Sequence, residues 1–187
     1  MKKLLALTVA LCLFCMSSAF AEYIASDGTP LQLEDFTLKP DAGMFCSVPG
    51  ENVPGQACLS VFPFIDSGDV SSNFNMYQLP GLEDYTTTDA INELAQNGKQ
   101  RYLDSLKDLN ATINFIEFKD AVECTISGIP CIYYDYTVDY TYYGQQVIER
   151  ARRLYFSEKA YCIILNSDSE ETIVKMTELL DAILTWN

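Results

Sequence analysis

Apolar and polar residues alternate with a period of two for more than 50 residues after Asn110, and this pattern constrains the fold more than any other feature of the sequence. Such alternation is typical of β-strands that bury one face. It predicts five successive strands: Thr112 to Phe118, Ala121 to Ile126, Cys131 to Tyr143, Gln145 to Phe156 and Ala160 to Asn166. Because the intervening turns are short, neighbouring strands are expected to pair antiparallel, as a meander.

The third of these strands has two chemically different faces. One face carries Ile132, Tyr134, Tyr136, Val138, Tyr140 and Tyr142. The other carries Tyr133, Asp135, Thr137, Asp139, Thr141 and Tyr143. We therefore expect the first face to be covered by another layer and the second to contact water at least in part.

Two segments with helical periodicity flank the predicted meander. Thr88 can cap a helix from Asp89 to about Leu109, where apolar residues recur every three or four positions. Ser167 and Glu170 form a capping box for a last helix that runs through Leu184. The predicted fold class is therefore α+β, an antiparallel meander flanked by a long central helix and a C-terminal helix.

Shorter elements precede the long helix. Phe36 to Leu38 has the pattern of a short strand ended by Pro40, and the stretches from Gly43 to Ser47 and from Gln56 to Phe64 predict two strands joined by a loop rich in Pro and Gly. The stretch from Ile65 to Asp84 is rich in Ser, Asn, Gly and Pro. We interpret it as an irregular surface excursion of the kind that often carries function.

The first 21 residues have the three parts of a secretory signal peptide. Two lysines precede an apolar run from Leu4 to Met16, and Ala19-Phe20-Ala21 supplies a small-x-small cleavage sequence. We expect cleavage between Ala21 and Glu22, a loosely ordered N-terminal arm over residues 22–35, and a soluble protein that is secreted or periplasmic. No later segment has the apolar length that a transmembrane helix needs.

The charge balance excludes several classes of function. The sequence has 26 acidic residues, 12 basic residues and no histidine, and the acidic excess rises from 14 to 16 when Lys2 and Lys3 leave with the signal peptide. Without imidazole there is no Ser-His-Asp or Cys-His catalysis and no HExxH zinc site. A strongly negative surface also repels nucleic acid and anionic lipid head groups, so no nucleic-acid partner is expected.

Five cysteines remain after cleavage, and in an oxidising compartment they are interpreted first as disulfide partners. Cys124 and Cys131 are symmetric about Ser127-Gly128, so a tight hairpin there would set them opposite each other. Cys46 and Cys58 flank a turn-rich loop and can face each other across a second hairpin. Cys162 is left over in an apolar run, where a buried inert thiol is expected.

The order of elements can also be compared with known folds. The chain has a short strand in Phe36-Thr37-Leu38-Lys39-Pro40, a hairpin, a long helix, a meander entered through Gly128-Ile129-Pro130, and a C-terminal helix that ends in Leu184-Thr185-Trp186. This order resembles the PsbP-like superfamily, which includes photosystem-associated PsbP proteins and bacterial extracytoplasmic DcrB-like proteins. The resemblance implies an α/β/α sandwich, a single domain over residues 36–187, and accessory, scaffolding or binding work rather than catalysis. It supplies no site residues.

Calcium is the one cofactor for which the sequence offers candidate ligands. Asp66, Asp69 and Asn73 provide oxygen atoms in a flexible loop, although their spacing does not match an EF-hand and turn formation explains the same residues. A pair of carboxylates could also serve a hydrolase, but Asp135 and Asp139 are about 13 Å apart along one strand face, which is wider than that chemistry requires.

The second face of the third strand is the candidate partner-binding patch. Its members are Tyr133, Asp135, Asp139 and Tyr143, since aromatic side chains beside acids bind sugars, peptides or cationic ligands. Tyrosine is also simply a favourable strand residue. Arg150 and Arg152 on the next strand are expected to pair with acids such as Asp135 or Asp139.

These observations predict a non-catalytic binding or accessory module of the bacterial cell envelope. Its partner is expected to be a protein or another envelope component, and a cationic ligand is one of the candidates. The alternative hypothesis is an extracytoplasmic hydrolase or small-ligand carrier that uses carboxylates in a cleft between the long helix and the sheet.

Overall fold

The computed structural model describes residues 21–49, 56–69 and 71–187. The predicted signal peptide therefore lies outside the described residues except for Ala21, as does most of the turn-rich loop between Cys46 and Cys58.

The described part of the chain contains twelve strands, two α-helices and three short 3-10 helices. The strands are β1 (Ala21–Ala25), β2 (Leu31–Gln32), β3 (Phe36–Leu38), β4 (Phe45–Pro49), β5 (Leu59–Phe62), β6 (Asn73–Gln78), β7 (Thr112–Phe118), β8 (Val122–Ile126), β9 (Ile129–Tyr142), β10 (Gln145–Phe156), β11 (Tyr161–Ser167) and β12 (Leu184–Trp186). The helices are α1 (Thr88–Asp108) and α2 (Glu170–Ile183). The α+β class is confirmed, and the five strands predicted after Asn110 agree with β7 to β11 within two residues at each end.

Nine strands form one antiparallel sheet in the order β1-β4-β5-β6-β11-β10-β9-β7, with β8 also paired to β9. A small second sheet has the order β12-β3-β2, and Trp186 near the C-terminus lies opposite Phe36 in it. The end of the chain is therefore a strand, where the sequence predicted the last residues of a helix.

The large sheet is the middle of three layers. On one side, α1 and the sheet enclose a core of Ile91, Ala95, Leu106, Ile132, Tyr134, Tyr136, Val138, Tyr155 and Cys162. On the other side, α2 and the small sheet cover a second core that includes Leu38, Val61, Phe74, Met76, Leu154, Phe156, Ile163, Leu165, Met176 and Leu180. The predicted face of β9 that begins at Ile132 points into the first core, as expected from the alternation.

Strand β6 is the main error of the sequence interpretation. The stretch from Ile65 to Asp84 was expected to be irregular, but β6 lies in the middle of the sheet between β5 and β11. Phe74 and Met76 are fully buried on one of its faces. On the other face Asn75 accepts a hydrogen bond from Ser60 at 2.6 Å and donates one to Asn73 at 2.7 Å. Polar side chains that satisfy each other across strands explain why this segment does not look like a buried strand.

The predicted meander is also modified at one edge. β7 and β8 do not pair with each other, because both pair with β9: Phe118 lies opposite Tyr136, and Val122 lies opposite Tyr133. β9 has 14 residues and is long enough to accommodate the two shorter strands one after the other.

The N-terminal arm and both helix caps differ from expectation. Residues 22–35 were expected to be loosely ordered but contain β2 and nearly all of β1, which pairs with β4 at the edge of the sheet. The N-cap of α1 is Thr87, whose hydroxyl accepts from the Ala90 amide at 3.2 Å. The N-cap of α2 is Ser169, while Ser167 is buried and contacts Ser72 at 2.9 Å.

Neither described helix is long and apolar enough to cross a bilayer.

Candidate functional site

The candidate patch on β9 divides into two parts with different surroundings. At one end, Asp135 lies opposite Arg152 of β10. The guanidinium donates to both carboxylate oxygens, from Nε at 2.8 Å and from Nη2 at 3.0 Å. It also lies 4.1 Å from the ring centroid of Tyr133 and donates to Thr177 of α2 at 3.1 Å. Tyr133 and Asp135 therefore bind an arginine of the same chain. That arginine in turn joins the sheet to α2 through Thr177.

At the other end of β9 none of the described elements covers the same sheet face. Phe115 of β7, Asp139 of β9 and Ile148 of β10 form one cross-strand row. Phe115 is 50% exposed and Ile148 is 41% exposed. We call this row the open face. Tyr143 follows in the turn after β9 and is 88% exposed. A 14-residue helix spans about 21 Å whereas a 14-residue strand spans about 46 Å, so α2 cannot cover the whole length of β9.

The carboxylate of Asp139 is held in place by two uncharged side chains. Asn114 donates to one oxygen at 2.8 Å, and Gln146 donates to the other at 2.8 Å. Both donors are uncharged amides, so they fix the orientation of the carboxylate without pairing it with a positive charge. The arrangement is a fixed anion between two exposed apolar side chains.

Sequence reasoning found Asp139 and Tyr143 but missed Phe115 and Ile148. The register of β7 shifts between Ile113 and Phe115, which places the exposed Asn114 as the extra residue of a bulge. The bulge moves Phe115 to the outer face and returns Ile116 to the core side. The sequence signal for the bulge is the adjacent apolar pair Phe115-Ile116. Two successive apolar residues interrupt the strict alternation of apolar and polar residues along the strand.

Two of the candidate calcium ligands are held by hydrogen bonds to nearby residues of the same chain. Asp69 accepts from the Ser71 amide and hydroxyl through one oxygen, at 2.9 and 2.8 Å, and from the Ser72 hydroxyl through the other at 2.6 Å. Asn73 belongs instead to the amide network with Asn75. The part of the chain that the structure describes contains no group of three or more Cys, Asp or Glu side chains arranged to hold a metal ion. Asp69 therefore has the geometry of a turn-stabilising residue.

Glu149 lies between α1 and the sheet, the position that the carboxylate-enzyme alternative requires. One of its oxygens accepts from Tyr102 of α1, and the other accepts from Tyr140 of β9 at 3.0 Å. Burial and the nearby carboxylate raise the pKa of Tyr102, and the same two causes raise the pKa of Tyr140 to about 12. A single carboxylate held by two phenols is suited to joining the helix to the sheet.

These tyrosines predict a specific alkaline weakness of the fold. A phenol whose pKa is raised by folding contributes stability that is complete below its unfolded pKa of about 10 and is lost as the pH rises through about 12. We expect Tyr140→Phe to have a smaller loss of stability over that interval than the wild type. Thermal unfolding followed by circular dichroism across this pH range measures the difference, and identical pH profiles would contradict the assignment.

Arg153 is a second arginine with unusual surroundings. Its guanidinium lies 5.5 Å from the ring centroid of Tyr136, and its Nε is buried without a hydrogen-bond partner among the residues that the structure describes. Burial opposes its charge, whereas neighbouring phenols, Tyr134 and Tyr136 first among them, favour it. The aromatic rings thus stabilise this cation where the described residues provide no ion pair.

A cleft of about 490 Å³ opens on the α1 side of the β8–β9 hairpin. Its walls include Glu123, Thr125, Ile132, Tyr155 and Glu158. Two carboxylates face one cleft here, so this is where the ligand-carrier alternative would place its ligand.

The cysteines are arranged differently from one another. Cys124 lies directly opposite Cys131, as the symmetry about Ser127-Gly128 predicted. Cys46 lies opposite Val61, three residues away from the predicted partner Cys58, so the expected register of that hairpin is wrong. Cys162 is buried in the core beside α1, and burial raises its pKa to about 12. All five are free thiols in the structure.

Comparisons with known proteins address the fold. No family model and no curated protein matches the chain. Among solved structures, the chain is similar to the solution structure of cyanobacterial PsbP (CyanoP) from Synechocystis sp. PCC 6803, with 12% identity over 90% of this chain and 94% of that chain and a TM-score of 0.42.

Proposed function

We propose that the protein is a non-catalytic binding module that acts outside the cytoplasm, and that the open face is its binding surface. The observation that carries the proposal is the row formed by Phe115, Asp139 and Ile148, in which a fixed carboxylate lies between two exposed apolar side chains. Exposed apolar side chains that lie together on a surface mark sites of protein interaction.

The partner is a protein segment that presents a basic side chain among apolar ones. Asp139 selects for a cation because its two hydrogen-bond donors leave the charge uncompensated. Glu117 on the same face of β7 adds a second acidic side chain. The large acidic excess of the chain attracts basic partners over longer distances and repels acidic ones.

A peptide titration tests the chemistry of the partner. We expect a short peptide of alternating Lys and Leu to bind, with an affinity that falls at least fivefold in Asp139→Asn and falls further as salt is added. A peptide of alternating Glu and Leu serves as the matched probe of opposite charge. Equal binding of the two peptides would show that the face does not select cations.

Cross-linking in the producing cells tests the surface itself. A photoreactive residue in place of Ile148 should give a discrete cross-linked product, whereas one in place of Leu109, which is 51% exposed at the end of α1, should not. The product should disappear in Asp139→Asn and persist in Asp108→Asn. Equal products from both positions would place the binding surface elsewhere.

A further inference from the structure

The β8–β9 hairpin holds two thiols in fixed register. Ser127 and Gly128 both have positive φ, 53° and 77°, as a two-residue type I′ turn requires. Asp181 of α2 secures the turn by accepting from the Ser127 amide at 2.5 Å. This turn places Cys124 and Cys131 directly opposite each other on the two strands. A disulfide can bridge the distance between two residues paired in this way.

The two sulfur atoms differ in access. Cys131 is only 4% exposed and belongs to the core beneath α2. Cys124 is half-buried and lies on β8, which pairs with β9 and with no other described strand. Cys124 is therefore the more accessible of the two sulfur atoms to an incoming molecule.

The two thiols also differ in acidity. A hydrogen bond from Cys131 lowers the pKa of Cys124, and the positive charge of Arg152 lowers it further. The hydrogen bond to Cys124, together with burial, raises the pKa of Cys131. The more accessible sulfur is thus also the one that more readily becomes a thiolate, the reactive form in disulfide exchange.

We propose that Cys124 and Cys131 are a thiol–disulfide exchange pair, with Cys124 as the sulfur that exchanges with an external disulfide and Cys131 as the sulfur that resolves the mixed disulfide. The external molecule is a disulfide: either the oxidised form of a small thiol, such as oxidised glutathione, or the disulfide form of an oxidoreductase.

The exchange balances in two steps. The Cys124 thiolate, having lost its proton to solvent, attacks one sulfur of the external disulfide, breaks its S–S bond and releases the other sulfur as a thiolate. The Cys131 thiol loses its proton to that thiolate, attacks Cys124 Sγ and releases the second external thiolate, which takes a proton from solvent. Two electrons pass from the pair to the external disulfide, which is reduced to two thiols.

The remaining cysteines lack this arrangement. Cys46 is fully buried and Cys162 is 3% exposed. Cys58 donates its S–H to the Met76 carbonyl at 3.3 Å, and burial raises its pKa to about 11.

Trapping the mixed disulfide tests the proposal. With oxidised glutathione, Cys131→Ser should retain a glutathionyl group on Cys124, at a yield at least tenfold above any adduct on Cys131 in Cys124→Ser. The wild type should instead form the internal disulfide. Peptide mapping by mass spectrometry assigns each adduct, so the other cysteines stay in place. The same trap with a thioredoxin-type oxidoreductase distinguishes a protein source of the disulfide from a small one.

Two outcomes would overturn the proposal. An adduct on Cys131 of Cys124→Ser as abundant as that on Cys124 of Cys131→Ser would remove the assigned roles. An internal disulfide that resists excess reduced glutathione would be a structural bond rather than an exchange pair. Cys131→Ala replaces Cys131→Ser if a buried hydroxyl prevents folding, which circular dichroism checks.

Discussion

Phe74→Ala is expected to lower the free energy of unfolding by about 3–5 kcal/mol, the range seen when a buried aromatic side chain is truncated. Phe74 is fully buried, and it lies opposite Val61 on one neighbouring strand and Leu165 on the other. Removing its ring leaves a cavity that neither strand can fill without breaking its own register. Urea denaturation followed by circular dichroism measures the loss.

Gln78→Ala provides the matched control for this substitution. Gln78 ends the same strand but its side chain is exposed, so its truncation should change stability by no more than about 0.5 kcal/mol. If Phe74→Ala cost as little as Gln78→Ala, β6 would not be a central strand and the segment would be the irregular loop that its composition suggests.

Arg152→Met is expected to lower the free energy of unfolding by about 2–3 kcal/mol. Removing one partner from a buried ion pair costs about 3–5 kcal/mol, and a smaller loss is expected here because the side chains of Arg152 and Asp135 keep 13% and 24% of their exposure to solvent. The substitution leaves the Asp135 carboxylate without its bidentate partner and removes the stacking on Tyr133. Thermal and urea denaturation measure the effect.

A double-mutant cycle isolates the ion pair from the packing. Arg152→Met combined with Asp135→Asn should recover part of the loss, because no unpaired charge then remains. Arg150→Met is the control: Arg150 is on the same strand and its guanidinium donates to the Asp168 carbonyl at 2.6 Å in an exposed position, so we expect less than about 1 kcal/mol. Additive single and double variants would show that Arg152 stabilises the fold through contacts other than the one with Asp135.

The Arg152 and Asp135 variants also test the candidate patch. If Arg152→Met is as destabilising as expected, Tyr133 and Asp135 serve the fold, and partner binding by β9 is confined to the end near Asp139. Substitutions at Asp139 should leave stability nearly unchanged, since the residues that contact its carboxylate are exposed amides.

Local patterns predicted the second half of the fold well. The alternation from Thr112 onward gave β7 to β11, and the symmetry about Ser127-Gly128 gave the register of the β8–β9 hairpin. The pairing of Arg152 with Asp135 also followed from adjacent strands joined by a short turn. These features depend on contacts between residues close in sequence, so the neighbouring side chains contain the necessary information.

Features that depend on distant contacts were missed. β6 is held between β5 and β11, and its Asn73 side chain accepts a hydrogen bond from Asn166, 93 residues away. Nothing near Asn73 in the sequence indicates that its amide will be satisfied inside a sheet. The bulge at Asn114 is similar, because its position is decided by the pairing of β7 with β9.

The sequence by itself determined which side chains share a face of each long strand, because successive residues of a strand point to opposite sides. Only the tertiary structure decided which part of a face is buried. α2 rises about 1.5 Å per residue and β9 about 3.3 Å, so a helix of the same 14 residues covers less than half of the strand. The covered part, with Asp135, serves the fold, and the uncovered part, with Asp139, remains available to a partner.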